Sequence, residues 1–253
     1  MTLPAAFLDT PIAHRALHDV TDGRPENSRA AIRAAIAQGY GIEIDLQLSV
    51  DGAAMVFHDY TLERLAEGAG PVSVQTAAQL AEIPLKGGDE GIPMLQEVLR
   101  VVGGAVPLLI ELKDQDGAMG PAGGPLEVAV THALDGYEGP VALMSFNPHS
   151  VARMAELLPH VPRGLVTSAY DPATWPLSDE VCDHLRGIPD YDRVGACFIS
   201  HEAADLARPR VAELKAAGAR VLCWTIKSAQ AEAEARKVAE NVTFEGYLAA
   251  HPG

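Results

Sequence analysis

The chain has 253 residues, of which 48% are hydrophobic, and its 34 Asp and Glu against 19 Lys and Arg give a formal net charge of −15. Because nucleic acid and anionic membrane surfaces repel a negatively charged protein, this balance argues against both as main partners. No stretch approaches the roughly 20 apolar residues of a membrane helix, and the length suits one domain, 1–253, with a substantial core.

Strand-like runs alternate with helical stretches along the chain. Strands are predicted at 11–14, 42–48, 54–58, 107–112, 140–144, 163–167, 194–199, 220–226 and 243–248. Helices are predicted at 28–38, from 148 onward, at 205–217 and at 229–239. About eight strand–helix units in about 250 residues indicate a single (β/α)₈ TIM barrel of the α/β class. The alternative is an open doubly wound sheet, but no Gly-x-Gly-x-x-Gly turn follows the first strand.

One connection is longer than the others. Residues 59–92 are too many for a simple link between elements, and we expect an inserted segment of loop with a short helix around 74–82. Segments of this kind often shape a binding site, so this one is predicted to form part of the active-site rim.

The predicted strand at 42–48 carries acidic side chains. Its residues alternate between apolar and polar, so Glu43 and Asp45 lie on one face of the strand. If helices cover the sheet, that face is interior, where an unpaired carboxylate is very costly. We therefore expect a divalent cation there; the alternative is the polar face of a half-exposed strand.

Further polar groups stand at the ends of other apolar strands: His14 and Arg15, His58, and Glu111 with Lys113. In a parallel barrel the carboxyl ends of the strands form one rim, so these residues should converge. The histidines exchange protons near neutral pH, and the two cationic side chains suit a phosphate oxyanion. The alternative to a role in the site for Glu111 and Lys113 is a purely structural ion pair.

These groups together have the chemistry that phosphoester cleavage requires. Three carboxylates suit a hard cation such as Mg²⁺ or Ca²⁺. Fixed positive charge stabilises the negative charge that grows on phosphoryl oxygens, while one histidine deprotonates a nucleophile and the other protonates a leaving alcohol.

An ordered set of short motifs runs nearly from end to end. The motifs are His14-Arg15, Pro25-Glu26-Asn27-Ser28, Glu43-Ile44-Asp45, Phe57-His58-Asp59, Ile92-Pro93-x-Leu95-x-Glu97, Ile110-Glu111-Leu112-Lys113, Ser145-Phe146-Asn147 and Trp224-Thr225. Each is weak alone, but in this order and spacing the set resembles the glycerophosphodiester phosphodiesterase family.

The resemblance implies a TIM barrel with its insertion after the His58-Asp59 strand. It implies a divalent ion on the three carboxylates, His14 and His58 as the acid–base pair, and Arg15 and Lys113 on the phosphate. The implied reaction is hydrolysis of a glycerophosphodiester to glycerol 3-phosphate and an alcohol, through attack by the glycerol 2-hydroxyl and a cyclic phosphate. We favour His14 as the base and His58 as the acid.

Other motif residues have two interpretations. Trp224 either belongs to the core or lines the glycerol pocket. Glu26 with Asn27 either begins a helix or has a supporting or active-site role, in which Glu26 is a candidate to bind substrate. Ser145 and Asn147 are interpreted as strand-end and helix-cap residues rather than reactants.

The chain departs from the family pattern at two positions and in one stretch. Ala16 follows His-Arg where the family usually has Gly, which costs energy if φ is positive there. Lys227 stands where Asn is usual. The eighth-strand end, 245–250, reads Glu-Gly-Tyr-Leu-Ala-Ala instead of the usual Asp-Gly-Ile-x-Thr-Asp, so we expect fewer polar groups at the closing rim. These changes affect the alcohol side, and the head group and oligomeric state stay unspecified.

The start of the chain and its thiols bear on location. The N-terminus lacks the basic start and apolar run of a signal peptide. Three cysteines without metal-ligand spacing, Cys182, Cys197 and Cys223, fit buried thiols in a reducing compartment, so we expect a cytoplasmic protein.

Two alternative functions remain: a lysophospholipase D-type reaction on acylated substrates, and a protein that binds a phosphodiester without cleaving it.

Overall fold

The computed structural model describes residues 1–121 and 124–251. Within them the strands are β1 (Ile12–Ala13), β2 (Gly41–Leu48), β3 (Ala54–Val56), β4 (Leu108–Leu112), β5 (Val141–Ser145), β6 (Arg163–Thr167), β7 (Phe198–Glu202), β8 (Arg220–Ile226) and β9 (Asn241–Phe244). The α-helices are α1 (Ala6–Asp9), α2 (Arg29–Gln38), α3 (Ala77–Glu82), α4 (Leu95–Val102), α5 (Pro125–Leu134), α6 (Pro148–Leu157), α7 (Asp179–Arg186), α8 (Pro209–Ala216) and α9 (Ala229–Ala235).

Eight of these strands are parallel and close into a ring. Around the ring the order is β1, β2, β4, β5, β6, β7, β8 and β9, and β1 pairs with both β2 and β9. Closure of this ring rules out the open doubly wound sheet and confirms the predicted (β/α)₈ barrel. No helix among the described residues is long and apolar enough to cross a bilayer.

The strand β3 lies outside the ring. It pairs antiparallel with β2, so the chain runs back along β2 after a turn in which Gly52 has a φ of +83°. The N–H of Phe57 donates to the carbonyl oxygen of Asp45 at 2.9 Å. The expectation that His58 stands at the carboxyl end of a parallel strand was therefore wrong: an antiparallel hairpin brings it beside Asp45.

The bounds of two barrel strands also differ from the prediction. The run predicted at 194–199 forms a strand at Phe198–Glu202, because the preceding residues make turns with Gly195 at a φ of +61°. The run predicted at 243–248 forms β9 at Asn241–Phe244, and Gly246, with a φ of +76°, lies beyond its end. The interruption in each case is a local backbone conformation that hydrophobic patterning does not reveal.

The polar face of β2 points into the barrel. Ile42, Ile44 and Leu46 pack in the large hydrophobic cluster between strands and helices, while Glu43 and Asp45 alternate with them and are buried on the interior side. The alternative of a half-exposed strand is thus wrong.

One end of the barrel interior is filled. Leu3 and Phe7, from the N-terminal segment and α1, pack with Ile12, Leu109 and Phe198 in an apolar cluster inside the ring. The polar side chains therefore occupy the opposite end, at the carboxyl ends of the strands, where barrel enzymes place their active sites.

The residues at 59–92 connect β3 to α4. They include a 3-10 helix at Val72–Val74 and the helix α3. Leu62, Leu80 and Leu85 pack with Phe57 in a small hydrophobic cluster of their own.

Candidate functional site

Three buried carboxylates meet at the open end of the barrel. Glu43 and Asp45 come from β2 and Glu111 from the neighbouring β4, where Asp45 and Glu111 stand opposite each other in the register. Their side-chain oxygens lie within 4.8 Å of one another, and the residues are only 2%, 1% and 6% exposed. Parallel pairing of β2 and β4 thus produces the acidic cluster directly.

The electrostatics of this cluster favour a cation. Burial, followed by the charges of Asp45 and Glu111, raises the pKa of Glu43. Burial and the charge of Asp45 likewise raise the pKa of Glu111. A divalent cation would relieve both the desolvation cost and the repulsion. All three donors are carboxylates, which suit a hard ion such as Mg²⁺ or Ca²⁺. These residues therefore fit the metal site that the sequence predicted.

Two basic side chains border the carboxylates. The Lys113 ammonium nitrogen lies 2.7 Å from an oxygen of Asp45 and 2.6 Å from one of Glu111. The Arg15 Nε lies 3.5 Å from Asp45. Burial alone would raise the pKa of Asp45, but Lys113, His58 and Arg15 outweigh it and hold that pKa well below its ordinary range. The carboxylates also raise the pKa of Lys113 despite its burial, so it stays charged.

The loop after β1 has unusual backbone geometry. Arg15 and Ala16 have φ values of +53° and +65°, a left-handed region that side chains other than glycine rarely adopt. In this conformation the N–H of Arg15 donates to the Glu43 carboxylate at 2.9 Å. The position of Ala16 therefore has the positive φ that makes alanine costly there, while the contact with the acidic cluster is preserved.

Asn27 also has a left-handed backbone, with φ at +60°. Its side-chain amide donates to Asp45 at 2.9 Å and its amide oxygen accepts from the Asp45 N–H at 3.3 Å. The adjacent Ser28, and not Asn27, caps α2 by accepting from the N–H of Ala31. Asn27 is thus a buried support of Asp45, a role that its motif suggested only as one of two interpretations.

Each histidine of the expected acid–base pair has a carboxylate partner. The His14 Nδ1 lies 2.6 Å from Glu245, which directly follows β9, and the His58 Nδ1 lies 2.7 Å from Asp59. Burial lowers the pKa of His14, although its hydrogen bond with Glu245 partly opposes this. His14 is consequently neutral at neutral pH, as a general base must be.

Asp59 is itself paired with Arg64. The guanidinium of Arg64 donates to Asp59 at 2.6 and 2.5 Å. Burial would raise the pKa of Asp59, but hydrogen bonds from His58 and Arg64 hold it below its ordinary value. The insertion, which contains Arg64, thereby fixes the orientation of the His58 partner.

A cavity of about 80 Å³ brings the predicted residues together. Its walls include His14, Arg15, Glu43, His58, Glu111, Lys113 and Trp224. Its charged and histidine walls suit a phosphoryl group or a small polyol. Trp224 therefore borders the site, and its indole N–H donates to the Ser200 carbonyl at 3.0 Å.

Glu26, Ser145 and Asn147 lie around this cavity without lining it. Glu26 forms an ion pair with Arg15 at 2.7 Å, so it contacts the guanidinium of Arg15 and not the cavity itself. The Ser145 hydroxyl donates to the Leu112 carbonyl, and the Asn147 side chain caps α6. The interpretation of the last two as strand-end and helix-cap residues agrees with these contacts.

A wider compartment opens on the His58 side. Its volume is about 560 Å³. The apolar and aromatic residues around it are Tyr60, Met119, Phe146, Trp175 and Trp224. Asp59 and Asp114 are among its polar residues. The compartment adjoins the smaller cavity, because His58, Glu111 and Lys113 line both.

Glu245 was not expected to take part in the site. The eighth-strand end was predicted to lose polar groups, but Glu245 contacts His14, lies 3.6 Å from His18 and pairs with Lys227 at 2.8 Å. Glu245 and Lys227 both stand where the chain departs from the family pattern, and these two departures were the signal available in the sequence.

The comparisons with known proteins agree with this geometry. A family model described as the Glycerophosphoryl diester phosphodiesterase family matches residues 14–244. The glycerophosphodiester phosphodiesterase of Caldanaerobacter subterraneus subsp. tengcongensis is 32% identical over 151 residues, which are 56% of this chain and 61% of that relative. The protein YhdW of Bacillus subtilis is 28% identical over 233 residues, 88% of each chain.

A solved structure extends the similarity to the whole barrel. An Oleispira antarctica phosphodiesterase in complex with its product sn-glycerol-3-phosphate superposes with a TM-score of 0.75 at 26% identity. The match covers 95% of this chain and 94% of the other.

Proposed function

This chain belongs to the glycerophosphoryl diester phosphodiesterase family, and we propose that it hydrolyses glycerophosphodiesters to glycerol 3-phosphate and an alcohol in a metal-dependent reaction. The observation that carries this proposal is one cavity bordered by two histidines, two cationic side chains and a buried cluster of three carboxylates. A phosphodiester needs each of these groups, whereas a neutral ligand needs few of them. The product complex of the Oleispira relative supports the same substrate class.

Glu43, Asp45 and Glu111 would hold the divalent ion, for which we propose Mg²⁺ or Ca²⁺. Bound there, such an ion supplies Lewis-acid stabilisation of negative charge on substrate oxygens. Arg15 and Lys113 add fixed positive charge beside the same carboxylates. We propose that these two side chains balance the charge that develops on the phosphoryl oxygens.

His14 acts as the base in this proposal. It takes the proton of the glycerol 2-hydroxyl, the O–H electron pair stays on oxygen, and that oxygen attacks phosphorus. The bond from phosphorus to the alcohol oxygen breaks, and His58 gives that oxygen its proton. A cyclic phosphate remains; water opens it with the proton transfers reversed, which regenerates both histidines. The lowered pKa of His14 supports its assignment as the base.

The leaving alcohol occupies the aromatic compartment in this proposal. That compartment adjoins His58, the proposed acid, while the smaller cavity suits glycerol. Trp224 borders both, so we propose that it separates the glycerol from the alcohol. Glu26 orients Arg15 through their ion pair, rather than binding substrate directly, which was the other active-site role considered for it.

The insertion 59–92 shapes the alcohol side of the rim in this proposal. Tyr60 and Thr61 come from that insertion and line the aromatic compartment. The same position keeps one alternative open, a lysophospholipase D-type reaction, since an acylated substrate needs an apolar compartment beside the insertion. We propose that 1–253 forms a single domain; residues 122–123 and 252–253 lie outside those described.

A cytoplasmic location is also part of the proposal. The three cysteines are free thiols and buried, as in proteins of reducing compartments. Recovery of the native protein mainly from an extracytoplasmic fraction would contradict this location.

A product assay tests the proposed function. Purified, metal-loaded protein should release glycerol 3-phosphate from glycerophosphocholine or glycerophosphoethanolamine, and the His14→Ala variant should not. Faster release of the head group from the lysophospholipid than from the deacylated substrate would favour the acylated alternative. Tight binding of glycerophosphocholine without any turnover would favour the non-catalytic binding protein and overturn the enzyme.

A further inference from the structure

The carboxylate of Glu245 and the ring of His14 are neighbours because the barrel closes there. The two residues are 231 positions apart, but β1 and β9 pair with Ala13 opposite Phe244, and each residue directly follows its strand. Glu245 therefore extends from the rigid end of one barrel strand to the end of the next. Its oxygen lies 2.6 Å from the His14 Nδ1.

This contact determines where the proton sits on the ring. An ionised carboxylate only accepts hydrogen bonds, so Nδ1 of His14 must carry the hydrogen. In the neutral ring the other nitrogen, Nε2, is then an acceptor. His14 borders the catalytic cavity, so its free nitrogen is the one available to a substrate hydroxyl.

The surroundings of Glu245 keep it ionised. Lys227 lies 2.8 Å from one of its oxygens and His18 lies 3.6 Å from the other. The hydrogen bond with His14, followed by the close approach of His18, holds the pKa of Glu245 far below its ordinary range. The carboxylate thus does not take the Nδ1 proton, and it stabilises the positive charge on the ring after the ring has accepted a proton.

We propose that Glu245 is a positioning residue for His14, which fixes the tautomer with Nε2 free to accept the proton of the glycerol hydroxyl. Lys227 anchors Glu245 from the solvent side through their ion pair. The proposal rests on the proposed function for the identity of the proton donor. The tautomer itself does not depend on any activity.

Variants of Glu245 in the metal-loaded enzyme separate charge from shape. Glu245→Gln keeps the length of the side chain, but its amide NH₂ can donate to Nδ1 and favour the wrong tautomer. We expect kcat to fall by at least about 10- to 100-fold, the range typical of hydrogen-bond partners of metal-bound histidines, with KM within about twofold. Glu245→Asp keeps the charge, and we expect it to retain more activity than Glu245→Gln.

The pH profile supplies a readout that loosened packing would not change. The hydrogen bond with Glu245 raises the pKa of His14, so its loss should move the acid limb of kcat/KM to lower pH. Glu240→Gln is the matched control, because Glu240 precedes the same strand at its opposite end and pairs with Arg220. That control should keep the wild-type limb. A Glu245→Gln variant with wild-type kcat, or with reduced kcat and an unmoved limb, would overturn the proposal.

Nitrogen NMR of the ring distinguishes failure of this proposal from failure of the proposed function. In ¹⁵N-labelled wild type above pH 7, the His14 resonances should show protonated Nδ1 and unprotonated Nε2. In the Glu245→Ala variant, a larger fraction of His14 should carry the proton on Nε2 instead of Nδ1. Protonated Nε2 in the wild type would overturn the positioning role even if the enzyme turns over. The expected tautomer in a protein without turnover would preserve that role and contradict the proposed function alone.

Discussion

Lys113 places its ammonium nitrogen 2.7 Å from an oxygen of Asp45, on the inner face of the barrel. The side chains are 13% and 1% exposed, so this ion pair is largely buried. Glu111 shares the same ammonium at 2.6 Å. One lysine thus balances part of a cluster of three carboxylates, and the remaining negative charge makes a cation favourable.

Replacing this lysine should destabilise the metal-free protein most. In Lys113→Met the two carboxylates lose their buried partner, for which we expect about 3 to 5 kcal/mol of lost unfolding free energy in chelator. Saturating divalent ion should recover part of the loss, because the ion compensates the same charges. Urea unfolding with and without the ion measures both values. An equal loss in the two conditions would contradict a shared role for lysine and ion.

Loss of any carboxylate should remove the stabilisation by metal. Glu43→Gln, Asp45→Asn and Glu111→Gln each delete one negative donor of the cluster. For wild type at an ion concentration of 100 times Kd, we expect about 2.7 kcal/mol of added stability, and far less in these variants. Glu156→Gln, an exposed glutamate of α6, is the control. Undiminished stabilisation in the three variants would mean that the ion binds elsewhere.

Each histidine variant should lose turnover while the fold is retained. General acid–base catalysis typically contributes 10²- to 10⁴-fold, so we expect kcat of His14→Ala and of His58→Ala to fall by about that factor. Circular dichroism checks the fold, and steady-state kinetics measures the loss. Wild-type activity in either variant would remove that residue from the mechanism.

The acid limb of kcat/KM should lie below pH 6.5. Burial lowers the pKa of His14, although Glu245 partly opposes the shift. Because the base works in its neutral form, activity is present above the lowered pKa and is lost as the pH falls through it. A pH profile on glycerophosphocholine measures this limb. A limb above pH 6.5 that disappears in His14→Gln would contradict the assigned direction.

Asn27 should stabilise the protein through its bond to Asp45. Asn27→Ala loses a hydrogen bond to a charged group, which is worth about 1.5 to 3 kcal/mol. Asn27→Gly loses the same bond but accepts the φ of +60°, so it should be less destabilised by about 1 kcal/mol. Thermal and urea unfolding compare the two. Equal stability of the variants would contradict a cost from the left-handed backbone.

Much of the site could be predicted from the sequence because it depends on local patterns. Alternation along β2 alone puts Glu43 and Asp45 on one face, and parallel pairing then adds Glu111 from β4. The contact of Glu245 with His14 was not accessible in this way. It exists because the last strand pairs with the first, and a residue pair 231 positions apart has no local signature.

The position of β3 outside the ring could not be predicted from the sequence, for a related reason. Its apolar residues predict a strand equally well inside or outside the ring. The tight turn at Gly52 decides between them, because a hairpin of this length makes β3 antiparallel to β2. The sites of His58 and Asp59 follow from that hairpin rather than from the barrel rim.

Turnover of glycerophosphocholine in chelator and in divalent ion tests the central claim most directly. The account predicts that chelator-treated wild type releases essentially no glycerol 3-phosphate, and that Mg²⁺ or Ca²⁺ restores release in the wild type but not in Asp45→Asn. Hydrolysis by chelator-treated protein as fast as by metal-loaded protein would contradict it.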